Sequence, residues 1–216
     1  MPEWITARQF HEADGIEDWR VLANGVAAYF STGSFATGVK FVAAIGALAV
    51  AADHEPDVDL RSSGLTVRLV GDEVNGLRES DIALARQVSA AARTLGLPAD
   101  PTAVQDVQVT IDALVGPAVR AFWRAALGYR EVGDEDLLDP DSRGPSFWFQ
   151  GMDAPRPHRN RIHVDIFVPH DQAEERVAAA IAAGGHLVTD EHAPAWWVLA
   201  DPEGNEACVA SWRGRD

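Results

Sequence analysis

His54, Glu55 and Asp72 are the residues of the first half of the sequence whose types could carry acid–base chemistry. One imidazole and two carboxylates suffice to move protons, because burial or mutual repulsion brings a carboxyl pKa toward neutrality. His54 and Glu55 stand where Pro56 must end a helix, and Asp72 follows a strand. Groups at element ends can converge on one pocket while a rigid scaffold holds them. The same types also suit a solvated helix end, so the residues alone leave both readings open.

The elements that must position these groups follow from spacing. Trp19–Gly25 and Val26–Thr32 read as an antiparallel pair. Ser34 caps a helix through Phe35, Val39, Val42, Ile45 and Ala49. Leu65, Val67 and Leu69 alternate with Thr66, Arg68 and Val70 as a half-buried strand, and Asn75-Gly76 turns the chain. Ile82, Ala85, Val88, Ala92 and Leu95 mark an amphipathic helix that stops at Gly96. Leu97-Pro98-Ala99-Asp100-Pro101 then breaks the pattern. The expected organisation is a first domain over 1–97, a linker over 98–103 and a second domain over 104–216.

The second domain repeats itself. Gln108–Ile111 and His163–Ile166 are strand-like, and each leads through a helix to a glycine stop, Gly128 and Gly184. A strand follows each stop and ends in Asp-Glu, at Asp134-Glu135 and Asp190-Glu191. The order is β–α–β–β–β, twice, and such repeats pack against one another. Trp196 and Trp197 are adjacent in a strand, so their rings take opposite faces. Arg156, His158, Arg159 and Arg161 form a basic run between the repeats, read as a solvated linker or a grip for an anion.

Composition bounds the function classes. The chain has 216 residues, 47% hydrophobic, and 18 Lys+Arg against 33 Asp+Glu give a formal charge of −15. Such a charge disfavours nucleic acid and anionic membranes as partners. Cys208, the single cysteine, reads as a small buried strand residue with no His–Asp partner suggested by spacing, and its isolation points to a reducing, cytoplasmic setting. No basic, apolar leader opens the sequence. The longest apolar run, Phe41–Ala52, falls short of the roughly 18–20 residues that cross a bilayer and reads as a buried helix.

His54-Glu55-Pro56-Asp57, Gly76-Leu77 and Asp81-Ile82-Ala83-Leu84-Ala85 resemble pterin-4a-carbinolamine dehydratases, without gaps from His54 to Ala85. The resemblance implies an α+β fold, an antiparallel sheet with helices on one face. It also implies a site where histidines move protons as a 4a-hydroxyl leaves as water. Position by position, the family's three histidines fall on His54, Glu55 and Asp72, while Pro56 and Asp57 shape the pocket. The implied activity is a hydro-lyase weakened or redirected by the two replacements. Family members form dimers and tetramers, so a homo-oligomer is expected.

Phe122–Tyr129, Asn160–Asp165 and Asp201–Glu206 resemble the glyoxalase-like branch of the vicinal oxygen chelate superfamily. That resemblance implies paired βαβββ units around a cavity, with a divalent metal in catalytic members that polarises vicinal oxygens. The aligned positions are Gln108, Gln150, His163 and Cys208, with Glu206 on the face of Cys208. Gln108 and His163 occupy equivalent places in the repeat. Three readings follow for this domain: a metal site drawn from Gln108, Gln150, His163 and Glu206; an enzyme of the glyoxalase or dioxygenase type; or a non-catalytic small-molecule binder of the bleomycin-resistance type. In each, the partner is a small molecule, pterin-like or other.

Overall fold

The computed structural model describes residues 4–70, 76–154, 162–200 and 206–215. The chain divides after Val104 into two units.

In the first unit β1 (Trp4–Ile5) leads into α1 (Ala7–His11). Thr6 caps this helix reciprocally: its hydroxyl accepts from the Gln9 N–H, and the Gln9 side chain accepts from the Thr6 N–H. There follow β2 (Arg20–Leu22), β3 (Gly25–Ser31), α2 (Phe35–Ala52), β4 (Asp57–Leu60), β5 (Gly64–Leu69), β6 (Leu77–Arg78) and α3 (Glu79–Thr94). The order β2-β3-β5-β4 makes an antiparallel sheet, and β1 pairs with β6. Leu65, Val67 and Leu69 are buried while Thr66 and Arg68 are not, as a period of two requires. The apolar face of the sheet carries α2 and α3, with Phe41 edge-on to Phe30 at 5.2 Å. Trp19 is fastened to α3 through Nε1, which donates to Ala85 O and Ser89 Oγ, both at 3.2 Å.

Helix α2 buries Gly38, Phe41, Ile45 and Ala49, but Phe35, Val39 and Val50 are exposed. It is long and apolar enough to cross a membrane by length and composition, with 22% of it buried. The expectation of a buried helix over Phe41–Ala52 therefore holds for one stripe only. Both stripes are apolar, and only the one carrying Phe41 and Ile45 meets the sheet.

The 98–103 segment, expected as a linker, lies against β3. Ala99 forms a bridge to Phe30, Ser31 N–H donates to Pro98 O, and Asp100 N–H donates to Tyr29 O. Short β2 leaves these β3 groups open, and the segment satisfies them. Val104 then packs with Leu22 and Ala27.

The second unit contains β7 (Asp106–Ala113), α4 (Gly116–Leu127), β8 (Arg130–Val132), β9 (Asp136–Leu138) and β10 (Ser146–Gly151). The same order recurs in β11 (Ile162–Phe167), α5 (Ala173–Ala182), β12 (His186–Thr189), β13 (Trp196–Ala200) and β14 (Glu206–Ala210). All strands join one eight-stranded sheet, β12-β13-β14-β11-β7-β10-β9-β8. At its centre β7 and β11 are antiparallel, while β7–β10 and β11–β14 are parallel. This is the doubled βαβββ pattern of the glyoxalase-like fold.

One face of this sheet is apolar. Ile111, Phe147 and Phe149 pack with Val119 and Trp123 of α4, and Leu199 and Val209 pack with Ala173 and Val177 of α5. The alternate residues form the other, polar face, with Gln108, Thr110, Asp112, Ser146, Trp148, Gln150, His163, Asp165 and Cys208 together by register. Trp197 joins the α5 side, whereas Trp196 stacks on His192 with centroids 4.3 Å apart.

Candidate functional site

In the first unit, Asp53 ends α2 in the left-handed conformation at φ 50°, and the His54 N–H then donates to Ala49 O. This turn points His54 toward the start of α3. There His54 Nε2 lies 3.1 Å from Asp81 Oδ1, an ion-pair distance whose angles fall outside hydrogen-bond geometry. Asp81 is 2% exposed, and its Oδ2 accepts from the Arg78 N–H at 2.7 Å. Burial pushes the Asp81 carboxyl above its usual range, and the Arg78 N–H and the charges of His54 and Arg78 offset only part of that. Glu55 is exposed, Pro56 half-buried, and Asp57 exposed at the start of β4 opposite Arg68. Asp72 lies outside the described residues, as does the basic run Arg156, His158, Arg159 and Arg161.

In the second unit, His163 Nδ1 lies 3.2 Å from Asp165 Oδ1 and 3.8 Å from Cys208 Sγ. On the far side of the ring, Nε2 is 4.0 Å from Asp112 Oδ1. Thr110 Oγ1 donates to Asp165 Oδ2 at 2.8 Å. Burial opposes ionisation of Asp165, but hydrogen bonds from His163, Thr110 and Cys208 and the His163 charge outweigh it. The carboxyl stays below the ordinary range. Gln108 is directed elsewhere: its amide donates to Ser146 Oγ at 3.3 Å, and in the register Ser146 stands opposite Gln108 while Gln150 stands opposite Asp112. Glu206 opens β14 on the face of Cys208.

The glyoxalase-like resemblance implies a divalent metal on this face. His163, Asp165 and Cys208 offer one nitrogen, one oxygen and one sulfur, all within 4.8 Å of one another. That set is too soft and too small for Mg²⁺ or Ca²⁺ but fits a borderline ion such as Zn²⁺.

Comparison with known proteins bears on both units. The family described as Pterin 4 alpha carbinolamine dehydratase matches residues 4–91. A Chloroflexus aurantiacus protein named "Putative pterin-4-alpha-carbinolamine dehydratase" is 34% identical over 88 residues, which are 41% of this chain and 95% of that protein. The chain belongs to the pterin-4-alpha-carbinolamine dehydratase family. An Aquifex aeolicus protein of the same name is 32% identical over 77 residues, covering 36% of this chain and 78% of its own.

Fused to this dehydratase domain is a second match, the family described as Glyoxalase-like domain, over residues 108–210. Among solved structures, a glyoxalase/bleomycin resistance protein/dioxygenase superfamily member from Vibrio splendidus is similar with TM-score 0.32 and 15% identity, over 50% of this chain and 99% of that one. A benzaldehyde dehydrogenase from Legionella pneumophila is similar with TM-score 0.37 and 9% identity, over 49% and 97%.

The structure adds residues that spacing did not single out. Asp81 was part of the dehydratase-like motif but reads as an ordinary acid in the first turn of a helix. Asp165 alternates with His163 and Asp112 with Gln108, so both shared a face with a candidate by simple period two. Cys208 comes beside His163 only through the parallel β11–β14 pairing.

Proposed function

We propose that the dehydratase domain is an acid–base site for loss of water from a 4a-hydroxylated tetrahydropterin. The observation that carries this reading is the His54–Asp81 contact, a half-buried imidazole against a buried carboxylate. Asp81 fixes one ring nitrogen, which leaves the other to face solvent or substrate. As the C–O bond breaks, the hydroxyl must gain a proton and the ring must lose one. His54 serves that transfer, and Glu55 and Asp72, at the positions where the dehydratase resemblance implies histidines, act as carboxylate shuttles. Pro56 and Asp57 shape the pocket beside His54 and Glu55.

The test is dehydration of freshly generated 4a-hydroxytetrahydropterin followed by absorbance, with wild type beside His54→Ala. Turnover above the spontaneous rate that disappears in the variant is expected. Equal rates for the two proteins would overturn the assignment.

A second reading concerns the glyoxalase-like domain, favoured by the His163–Asp165–Cys208 cluster on the polar sheet face. This face binds a small molecule, and a divalent cation held there supplies Lewis acidity toward vicinal substrate oxygens. Thr110 and Asp112 orient the cluster, and Gln108 with Ser146 offers hydrogen bonds to the rest of the ligand. The alternative for the same face is ligand binding without turnover.

The exposed apolar stripe of α2, Phe35, Val39 and Val50, supports self-association of the dehydratase domain. A cytoplasmic setting fits a chain with one cysteine, which can form no intramolecular disulfide.

A further inference from the structure

The two measured edges of the His163 cluster carry information about what it holds. Nδ1 to Asp165 Oδ1 is 3.2 Å, and Nδ1 to Cys208 Sγ is 3.8 Å. Zinc bond lengths of about 2.0–2.3 Å set the edges of a tetrahedral site at roughly 3.3–3.6 Å. Both edges therefore lie within a few tenths of an ångström of those of a zinc tetrahedron, and all three ligand atoms lie within 4.8 Å of one another. We propose that His163 Nδ1, Asp165 Oδ1 and Cys208 Sγ form a three-ligand site for a borderline divalent cation of the zinc class, with the fourth position left to solvent or substrate. This rests on the reading of the polar face as a cation-assisted ligand site and specifies its ligands.

Charge and softness agree with the geometry. A thiolate and a carboxylate together cancel the charge of a divalent ion, and sulfur with imidazole selects zinc-like ions over magnesium or calcium. Two of the three ligands, Asp165 and His163, also have an orienting partner. Thr110 holds Asp165 Oδ2 at 2.8 Å, which reserves Oδ1 for the ion. Asp112 Oδ1 stands 4.0 Å from His163 Nε2 and is 5% exposed, a buried carboxylate behind the nitrogen not used for coordination. The charge of a carboxylate at that place favours the tautomer with its proton on Nε2, which leaves the Nδ1 lone pair to the ion.

The site is one-sided. Repeat symmetry exchanges Gln108 with His163, and Thr110 with Asp165, across the central β7–β11 pair. The parallel registers then make Trp148 the counterpart of Cys208. Gln108 donates to Ser146, and Trp148 Nε1 donates to Glu135 Oε2 at 3.0 Å, so the first repeat offers neither a thiolate nor a carboxylate at these places. All three ligands come from the second repeat, rather than two from each.

The test is titration of the full-length, reduced and chelator-stripped protein with Co²⁺. One equivalent should produce a near-ultraviolet sulfur-to-cobalt charge-transfer band together with the visible bands of four-coordinate cobalt. The chain has one cysteine, so the band reports Cys208 alone. Cys208→Ser should abolish the band, and Zn²⁺ should displace the cobalt. Asp112→Asn, which removes no ligand, should keep the band but weaken affinity by about 10- to 100-fold. Far-ultraviolet circular dichroism checks that each variant folds. Cobalt or manganese bound without the band would overturn the ligand set while leaving a cation at this face. Failure of every divalent ion to bind wild type would overturn both readings. Asp112→Asn binding as tightly as wild type would overturn the orienting role.

Discussion

His54 Nε2 and Asp81 Oδ1 meet at 3.1 Å, joining the end of α2 to the first turn of α3. The contact makes Asp81 a positioning residue for the imidazole. Asp81→Asn keeps the shape and an acceptor for the Arg78 N–H but removes the charge that faces His54. Dehydration by the variant should fall on the order of 10- to 100-fold in kcat, with KM little changed, while His54→Ala should lose about 10²–10⁴-fold. An unchanged kcat would reduce Asp81 to a helix-cap residue.

Val39, at 48% exposed, lies between Phe35 and Val50 on the outer stripe of α2. Val39→Glu sets a charge in this stripe without touching the Phe41–Ile45 face. Light scattering coupled to size-exclusion chromatography should show wild type as an oligomer and the variant as a smaller species. Thermal stability of the separated chain should change by no more than about 0.5 kcal/mol, as for other surface substitutions. A monomeric wild type would remove the self-association reading.

Much of this architecture was legible because period and punctuation agree. Leu65, Val67 and Leu69 alternate as a half-buried strand, and Gly128 closes α4 in the left-handed conformation at φ 73°. The doubled strand–helix pattern placed Gln108 and His163 at matching positions of the polar face. What periodicity could not choose was which of two apolar stripes on α2 meets the sheet. Helical spacing singled out Phe35 and Val39 with Ile45 and Ala49, whereas Phe41 is the residue buried beside Ile45 and Ala49, and Phe35 and Val39 are exposed.

The sites were harder to read for a different reason. Cys208 gains its neighbours from β11, a strand far away in sequence, and the register that sets it opposite Asp165 depends on packing around both strands. Asp81 gains His54 only because Asp53 adopts the left-handed conformation and turns the chain. No local pattern announces either event.

Trp19 offers a check on the first unit that does not depend on catalysis. Its indole is 1% exposed and donates to both Ala85 O and Ser89 Oγ, so Trp19→Phe leaves a small void and the Ser89 hydroxyl short of a partner. Loss of roughly 2 kcal/mol in chemical denaturation is expected, with m unchanged. A loss below about 0.5 kcal/mol would show that water or Ser89 rearrangement replaces the indole.

Asp136 gives the second unit a pH dependence of its own. Burial, reinforced by the nearby Glu135 charge and opposed by Arg120, raises its pKa from 3.8 to about 6. The folded state thus holds this proton more tightly than the unfolded chain does. Stability must then fall as pH rises from about 4 to about 6, and the penalty is fully present above that window. Asp136 is only partly buried, so solvent screening reduces the penalty to about 1 kcal/mol. Asp136→Asn removes the ionisation. Measured side by side, the variant should be more stable than wild type at pH 8, and the difference should shrink toward zero at pH 4. Comparing the two proteins at each pH cancels the titration of all other groups. A difference that does not change with pH would show that Asp136 titrates normally, and that the polar face near Trp148 is wetter than its burial implies.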